Sequence, residues 1–185
     1  MLAQPRKLIR ALVADFGEGN EIMDTLSKQI LKKIDAEPPG PLIQQKDSTP
    51  HLDHWSSAVL LERAAYLHKL ARQGDGSASE TLKEYPRHFT MLSFRSRDGQ
   101  AELHENFADL FYVLEGRATL VTGGAVAGAK KIGPGEVRGV SVEGGTRQEL
   151  RAGDVAHVPA GVPHQMLVPG DKTVTCFVMK IQENL

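Results

Sequence analysis

From Glu102 to Gly116 the chain reads Glu-Leu-His-Glu-Asn-Phe-Ala-Asp-Leu-Phe-Tyr-Val-Leu-Glu-Gly. Glu102 and His104 are two residues apart, so on an extended strand both side chains point the same way, roughly 6.6 Å apart along the backbone. Both can therefore reach one ion. Asp109 is an odd number of residues from His104 and would face away in an unbroken strand. We expect it to join them through a bend or bulge over residues 105–108.

A second stretch, from Gly153 to His164, reads Gly-Asp-Val-Ala-His-Val-Pro-Ala-Gly-Val-Pro-His. Its Pro-Ala-Gly segment predicts a tight turn, and Pro163 fixes the backbone before the next strand. His164 is therefore expected at a strand start, where a rigid backbone can aim it.

The chain after about Lys83 has the period of β-strands. Short runs rich in β-branched and aromatic residues alternate with glycine-containing turns. The runs are Phe89–Phe94, Ala101–Glu105, Leu110–Leu114, Arg117–Thr122, Glu136–Val142, Arg147–Leu150, Val155–Val158, Gln165–Val168 and Thr173–Ile181. A series of strands without intervening helices predicts an all-β sandwich or barrel.

Residues 1–82 are predicted to form a helical extension with a proline-rich linker. One amphipathic helix follows Asn20 and ends at Pro38, and a second runs from about Trp55 to Arg72. About twenty residues separate the two helices, whereas a DNA-binding helix-turn-helix uses a turn of ~3–4 residues. We therefore reject a DNA reader and expect Trp55 to anchor the second helix onto the sheet.

Composition excludes several classes of function. The 185 residues carry a formal net charge of −1, so no charged surface for nucleic acid or for an anionic membrane is expected. No apolar run approaches the ~18 residues of a membrane span. No signal peptide is recognised, which predicts a cytoplasmic protein, with an exported form whose signal has been removed left open. The single cysteine, Cys176, is expected to be a buried thiol rather than a nucleophile.

The two stretches resemble the two signature motifs of the cupin superfamily. In the first motif the spacing from Asp109 to Gly116 is kept. Glu102 stands where the family has its first histidine, Asp109 stands where it has glutamate, and the upstream glycine is displaced. The second motif has Val168 in place of asparagine and keeps four family residues in register, namely Gly153, Pro159, Gly161 and His164.

The resemblance covers roughly residues 85–182 and implies a double-stranded β-helix, or jelly-roll, barrel over residues 83–185. It also implies a divalent metal at the open end of the barrel, bound by the four clustered residues, Glu102, His104, Asp109 and His164. Two carboxylates and two imidazoles suit Mn²⁺, Fe²⁺ or Zn²⁺ better than copper or nickel, although Ni²⁺ stays a candidate. The alternative is a decayed site in which Glu102 is hydrogen-bonded or solvated at the mouth.

Two further histidines are candidates for proton transfer. His157 is expected beside the ligands or on the outer face, and His88 at the barrel mouth or on an edge strand. With a metal, the barrel would be an isomerase, decarboxylase or dioxygenase acting on a carbonyl, enediol or carboxylate substrate. The alternative is a non-catalytic module that binds a small molecule or a structural ion.

The run Leu110–Leu114 is apolar on both faces. One face can fill the barrel, so the other must be covered by the N-terminal helices or by a second subunit. A homodimer is therefore expected, since two-fold symmetry dominates soluble assemblies. The expected partners are a small-molecule ligand and a second copy of the chain, with no nucleic acid and no membrane.

Overall fold

The computed structural model of the 185-residue chain describes residues 52–183. One α-helix, α1 (Ser57–Ala71), precedes the strands in this part of the chain. The strands are β1 (Ser77–Glu84), β2 (His88–Arg95), β3 (Ala101–His104), β4 (Phe107–Thr122), β5 (Ala125–Ala127), β6 (Lys130–Gly133), β7 (Glu136–Gly139), β8 (Ser141–Glu143), β9 (Thr146–Arg151), β10 (Val155–Val158), β11 (His164–Leu167) and β12 (Val174–Gln182). The predicted helix after Asn20 and the proline-rich linker lie outside the described residues.

Ten of the described strands form a curled antiparallel sheet in which β4 belongs to two layers, and β5 and β8 pair in a separate two-stranded sheet. Its first half pairs with β12 and β10, and its second half pairs with β11 and β9. The first layer continues through β12 to β2 and β1, and the second continues through β11 to β3, β7 and β6. This arrangement confirms the predicted all-β jelly-roll barrel.

Gly116 allows β4 to pass from one layer to the other. The separate runs Leu110–Leu114 and Arg117–Thr122 are joined in one 16-residue strand, because Gly116 changes the chain direction without ending the pairing. Its φ is +79°, and a Cβ added there would lie 1.9 Å from the carbonyl oxygen of Thr173. Only glycine fits both the backbone conformation and this close approach.

The inside of the curl is filled by apolar side chains from both layers. Val113, Leu120 and Val158 are nearly inaccessible to solvent, and they pack with Cys176 and Val178 of β12. Since Ala156 and Val158 of β10 face this core, His157 between them faces outward. The packing of this core therefore determines which face of each strand points toward the barrel interior.

Helix α1 covers part of the outer face of the first layer. It begins after the N-cap Ser56, whose hydroxyl accepts a hydrogen bond from the Val59 amide at 3.3 Å. Leu67 of α1 packs with Leu82 of β1 and Leu92 of β2 in a second buried cluster. The Trp55 ring lies 6.3 Å from that of Phe177 on β12, so Trp55 holds the start of this region against the sheet, as expected.

Strand β1 was missed by the periodicity of the sequence, which placed the first strand at Phe89. The segment Ser77–Glu84 is mostly polar and lacks the β-branched pattern of a strand. It is extended because it pairs with β2 along the edge of the sheet, where Leu82 is buried beneath α1. Strand β1 therefore crosses the boundary at residue 82 that the sequence suggested.

Within residues 52–183, no helix has the length and apolar character required of a membrane span.

Candidate metal centre

Four side chains from three strands meet inside the barrel. One ligand atom from each of them lies within 4.8 Å of all the others. Strand β3 contributes two of the residues, β4 one and β11 one, and these residues are Glu102, His104, Asp109 and His164. The cluster predicted from the sequence is therefore assembled in the structure.

Strand pairing and one bend bring the cluster together. Glu102 on β3 is directly opposite His164, the first residue of β11. Between β3 and β4, Glu105 and Asn106 form a bend, and this bend turns Asp109 inward as expected. Asp109 is 2% exposed, so its carboxyl group lies deep in the barrel.

The distances within the cluster are close to direct contact. His164 Nε2 lies 3.2 Å from Asp109 Oδ2, and His104 Nε2 lies 3.6 Å from the same oxygen. Glu102 Oε2 is 3.3 Å from His104 Nε2 and 4.0 Å from His164 Nε2. All four groups therefore present nitrogen or oxygen atoms to one small volume.

Each imidazole is held by a hydrogen bond from its outer nitrogen. His104 Nδ1 donates to Glu136 Oε2 at 2.7 Å, and His164 Nδ1 donates to the carbonyl oxygen of Val162 at 3.1 Å. With Nδ1 protonated, the lone pair of each neutral ring is on Nε2, which faces the cluster. Both Nε2 atoms are thereby directed toward the centre of the cluster, where a cation could reach them.

Glu136 is a site residue that the sequence did not reveal. It is the first residue of β7, opposite His104 in the pairing of β3 with β7. Arg138 Nη1 donates to the same Glu136 oxygen at 3.1 Å and so fixes the carboxylate. Glu136 follows a glycine turn and matches no motif, so only the strand register could have identified it.

Lys180 is the second residue that sequence reasoning missed. Its Nζ lies 2.6 Å from Asp109 Oδ2 and 2.7 Å from His104 Nε2. A signal was present, since Lys180 is the one charged residue in the otherwise apolar run Val174–Ile181. Alternation places it on the same face as Cys176 and Val178, which is the inside of the barrel.

The donor set fits a divalent cation. Burial tends to raise the pKa of the Glu102 carboxyl, but its contact with the His104 imidazole and the nearby Arg138 guanidinium outweigh burial and lower that pKa to about 2. Burial likewise opposes ionisation of Asp109, whereas the Lys180 ammonium beside it lowers its pKa. Among residues 52–183, only Asp109 Oδ1 and His164 Nε2 are buried side-chain atoms without a hydrogen-bond partner of acceptable geometry. An ionised carboxylate and an inward imidazole lone pair are ligands for Mn²⁺, Fe²⁺ or Zn²⁺.

The cluster lies in a cavity of about 710 Å³. Much of the wall is apolar, with Phe89, Phe107 and Phe111 among the lining residues, and the Phe111 ring centroid is 6.2 Å from that of His164. Phe111 thus forms part of an apolar floor beside the cluster, while Val113 is buried in the core. The cavity has the size of a small-molecule site.

The structure does not bring His157 or His88 into this cavity. His157 lies on β10 opposite Leu110, its side chain is 48% exposed, and its Nε2 is 3.8 Å from Glu183 Oε1. It points outward because its neighbours in β10 face the core. His88 begins β2 and stacks on Tyr85 with ring centroids 4.3 Å apart. Neither histidine is among the residues that line the cavity, and the proposed role of either one in proton transfer stays a prediction.

Comparison with known proteins gives a family match for part of the barrel. The family model described as a cupin domain matches residues 135–180. No curated protein matches the sequence.

Similar solved structures share little sequence with this chain. The Cnp3 cupin domain of Schizosaccharomyces pombe is 13% identical with a TM-score of 0.44, and the alignment covers 58% of this chain and 65% of that one. The polyketide cyclase RemF of Streptomyces resistomycificus is 19% identical over 58% of this chain and 66% of its own, with a TM-score of 0.43. A cupin 2 conserved barrel protein of Salinispora arenicola is 18% identical over 59% and 78%, with a TM-score of 0.41.

Proposed function

The barrel is a cupin domain of the cupin superfamily, and from this premise we propose that the protein is a metal-dependent enzyme acting on a small carbonyl, enediol or carboxylate substrate. One observation carries the proposal. Two carboxylates and two oriented imidazoles converge within 4.8 Å at the wall of a cavity large enough for a small molecule. Buried carboxylates that face each other require a cation or a proton between them.

The ligands in this proposal are Glu102, His104, Asp109 and His164. A divalent ion bound there supplies Lewis acidity toward a carbonyl or carboxylate oxygen. Glu136 holds the His104 ring in the tautomer that ligation needs, and the Val162 carbonyl does the same for His164. Isomerase, decarboxylase and dioxygenase reactions are all compatible with this donor set.

Two arginines support an anionic substrate. Arg95 Nη2 lies 3.5 Å from Glu102 Oε1 and Arg138 Nη2 lies 3.7 Å from Glu102 Oε2, and both arginines line the cavity. Each is about a quarter exposed, so each can turn a donor toward a ligand in the cavity. Guanidinium groups bind carboxylates through paired hydrogen bonds. The aromatic wall would pack against the apolar part of the same molecule and exclude water from it.

The non-catalytic alternative is favoured by one observation. Lys180 already provides a positive charge to the cluster, so the barrel has an internal counter-ion for Asp109. A barrel in which the Lys180 ammonium stays bound to Asp109 in place of a metal would bind small molecules without metal chemistry.

The expected homodimer is also part of the proposal. It is supported by the outer face of the first layer, where Tyr112 is 39% and Val155 is 61% exposed.

The test is direct metal binding. Purified protein is stripped with a chelator and titrated calorimetrically with Mn²⁺, Fe²⁺, Zn²⁺ and Ni²⁺ in turn. We expect about one bound ion per chain for wild type, and an affinity more than about tenfold lower for His164→Ala. His157→Ala is the matched control, because this histidine is exposed and outside the cavity. If wild type binds these metals no better than His164→Ala, the proposed metal centre is wrong.

A further inference from the structure

We infer that Lys180 and a divalent metal compete for the same site, and that the metal binds by displacing the Lys180 ammonium. The inference rests on the metal centre proposed above and adds a residue that controls its occupancy. The ammonium is already within hydrogen-bond distance of two of the four proposed ligand atoms, at 2.6 and 2.7 Å.

The competition follows from the single lone pair of His104. Its Nδ1 donates to the Glu136 carboxylate, so the neutral ring has one remaining lone pair, on Nε2. Lys180 Nζ has donors and no acceptor, so the 2.7 Å contact uses that lone pair. A metal bound by His104 needs the same electrons. The two interactions therefore exclude each other.

Charge leads to the same conclusion at Asp109. This carboxylate is buried, and Lys180 Nζ is its closest cation. A divalent metal held by Asp109 would bring a second, larger positive charge to the same carboxylate. Two cations at such a separation repel strongly in a site shielded from water. The ammonium must move away for the metal to bind.

The fold gives Lys180 somewhere to go. Its side chain is a flexible four-carbon stem on β12, and it lines the cavity of about 710 Å³. Rotation of that stem moves the ammonium into the cavity without a change in the backbone of β12. Glu136 lines the same cavity and offers a carboxylate there as a counter-charge for the displaced ammonium.

The lysine has no evident role in packing the barrel. Its inward neighbours in β12, Cys176 and Val178, are apolar core residues, and lysine is one of the residue types least often buried. A methionine of similar length would fill the same space without a charge. The presence of an ammonium at this position is explained if it balances the ligands when no metal is bound.

The experiment compares the affinity of metal-stripped protein for Mn²⁺ and Zn²⁺, measured by isothermal titration calorimetry, in wild type and Lys180→Met. We expect Lys180→Met to bind about ten- to a hundredfold more tightly, because metal no longer has to break two charge-assisted hydrogen bonds. Lys172→Met is the matched control, since the Lys172 side chain is partly exposed, does not line the cavity and is paired only with Asp171 among the ion pairs of the described chain. Its affinity should equal that of wild type.

The possible results of this experiment are distinguishable. Equal or weaker binding by Lys180→Met, with wild type still binding metal, overturns the competition and leaves the proposed function intact. No binding by either protein overturns the proposed function and the inference with it. If Lys180→Met fails to fold without metal, Lys180→Gln keeps a donor for Asp109 without the charge, and the same gain in affinity is expected. In a crystal structure of the metal-loaded wild type, Lys180 Nζ still in contact with both Asp109 and His104 would also overturn the inference.

Discussion

Lys180 and Asp109 are directly opposite each other on β12 and β4, and their Nζ and Oδ2 atoms lie 2.6 Å apart. The lysine sits between the first layer of the barrel and the ligands contributed by the second layer. The charge state of the site therefore depends on a strand outside both sequence motifs.

Acid should destabilise the metal-free protein through Glu102. Its carboxyl has a pKa lowered to about 2 in the folded protein, against an ordinary value of 4.5. A carboxyl group whose pKa is lower in the folded state stabilises the fold at pH values above its ordinary pKa. This contribution to the free energy of unfolding is lost as the pH falls from about 4.5 toward 2. Urea unfolding between pH 5 and pH 2.5 should reveal the loss, of about 2–3 kcal/mol for this group at most. The free energy of unfolding of Glu102→Gln should depend less on pH over the same interval. The same pH dependence in the variant and in wild type would contradict the lowered pKa of Glu102.

Arg63 is expected to be essential for the docking of α1. Its side chain is 3% exposed, and its guanidinium donates through Nε to Glu80 Oε1 at 2.6 Å on β1. Arg63→Met removes the guanidinium that balances the charge of the partly buried Glu80 carboxylate. Breaking such a pair from one side costs about 3 kcal/mol or more. Chemical denaturation measures the change, and Lys69→Met, at an exposed position on the same helix, should alter the free energy of unfolding by less than about 0.5 kcal/mol.

Gly116→Ala should be far more damaging than Gly144→Ala. Both glycines have positive φ, +79° and +72°, so both alanine variants incur a conformational cost of about 1–2 kcal/mol. A Cβ at Gly116 meets the Thr173 carbonyl at 1.9 Å, whereas a Cβ at Gly144 meets nothing within 4 Å. The clash adds about 1–3 kcal/mol or more. Equal melting temperatures for the two variants would show that β4 does not need its close approach to residue 173.

Cys176 should be unreactive while the barrel is folded. The thiol is 2% exposed, and burial raises its pKa to about 12. Since the thiolate is the reactive form, a chromogenic disulfide reagent at pH 8 should modify native protein slowly and protein in denaturant within seconds to minutes. Rapid modification of the native protein would mean that reagents reach the thiol through the cavity, which Cys176 also lines.

Much of the candidate site could be predicted from local sequence rules. The i, i+2 spacing of Glu102 and His104 is a property of any extended strand, and the turn before His164 follows from proline and glycine geometry. The inward position of Asp109 needed one conditional step, a bend over residues 105–108, and the structure supplies it at Glu105 and Asn106. These inferences succeeded because each involves residues close together in the chain.

The sequence by itself determined the all-β class, a helix from about Trp55 to Arg72, the glycine turns and the two motifs that carry four of the site residues. Only the tertiary structure decided that Lys180 and Glu136 join those four, that His157 and His88 face outward, and that the polar segment Ser77–Glu84 is a strand. The physical reason is that alternation within a strand is a local property, whereas the identity of its neighbours and the face turned inward depend on register across the sheet. Lys180 meets Asp109 because β12 pairs with β4 in one register, and a shift by one residue would turn the lysine out of the barrel.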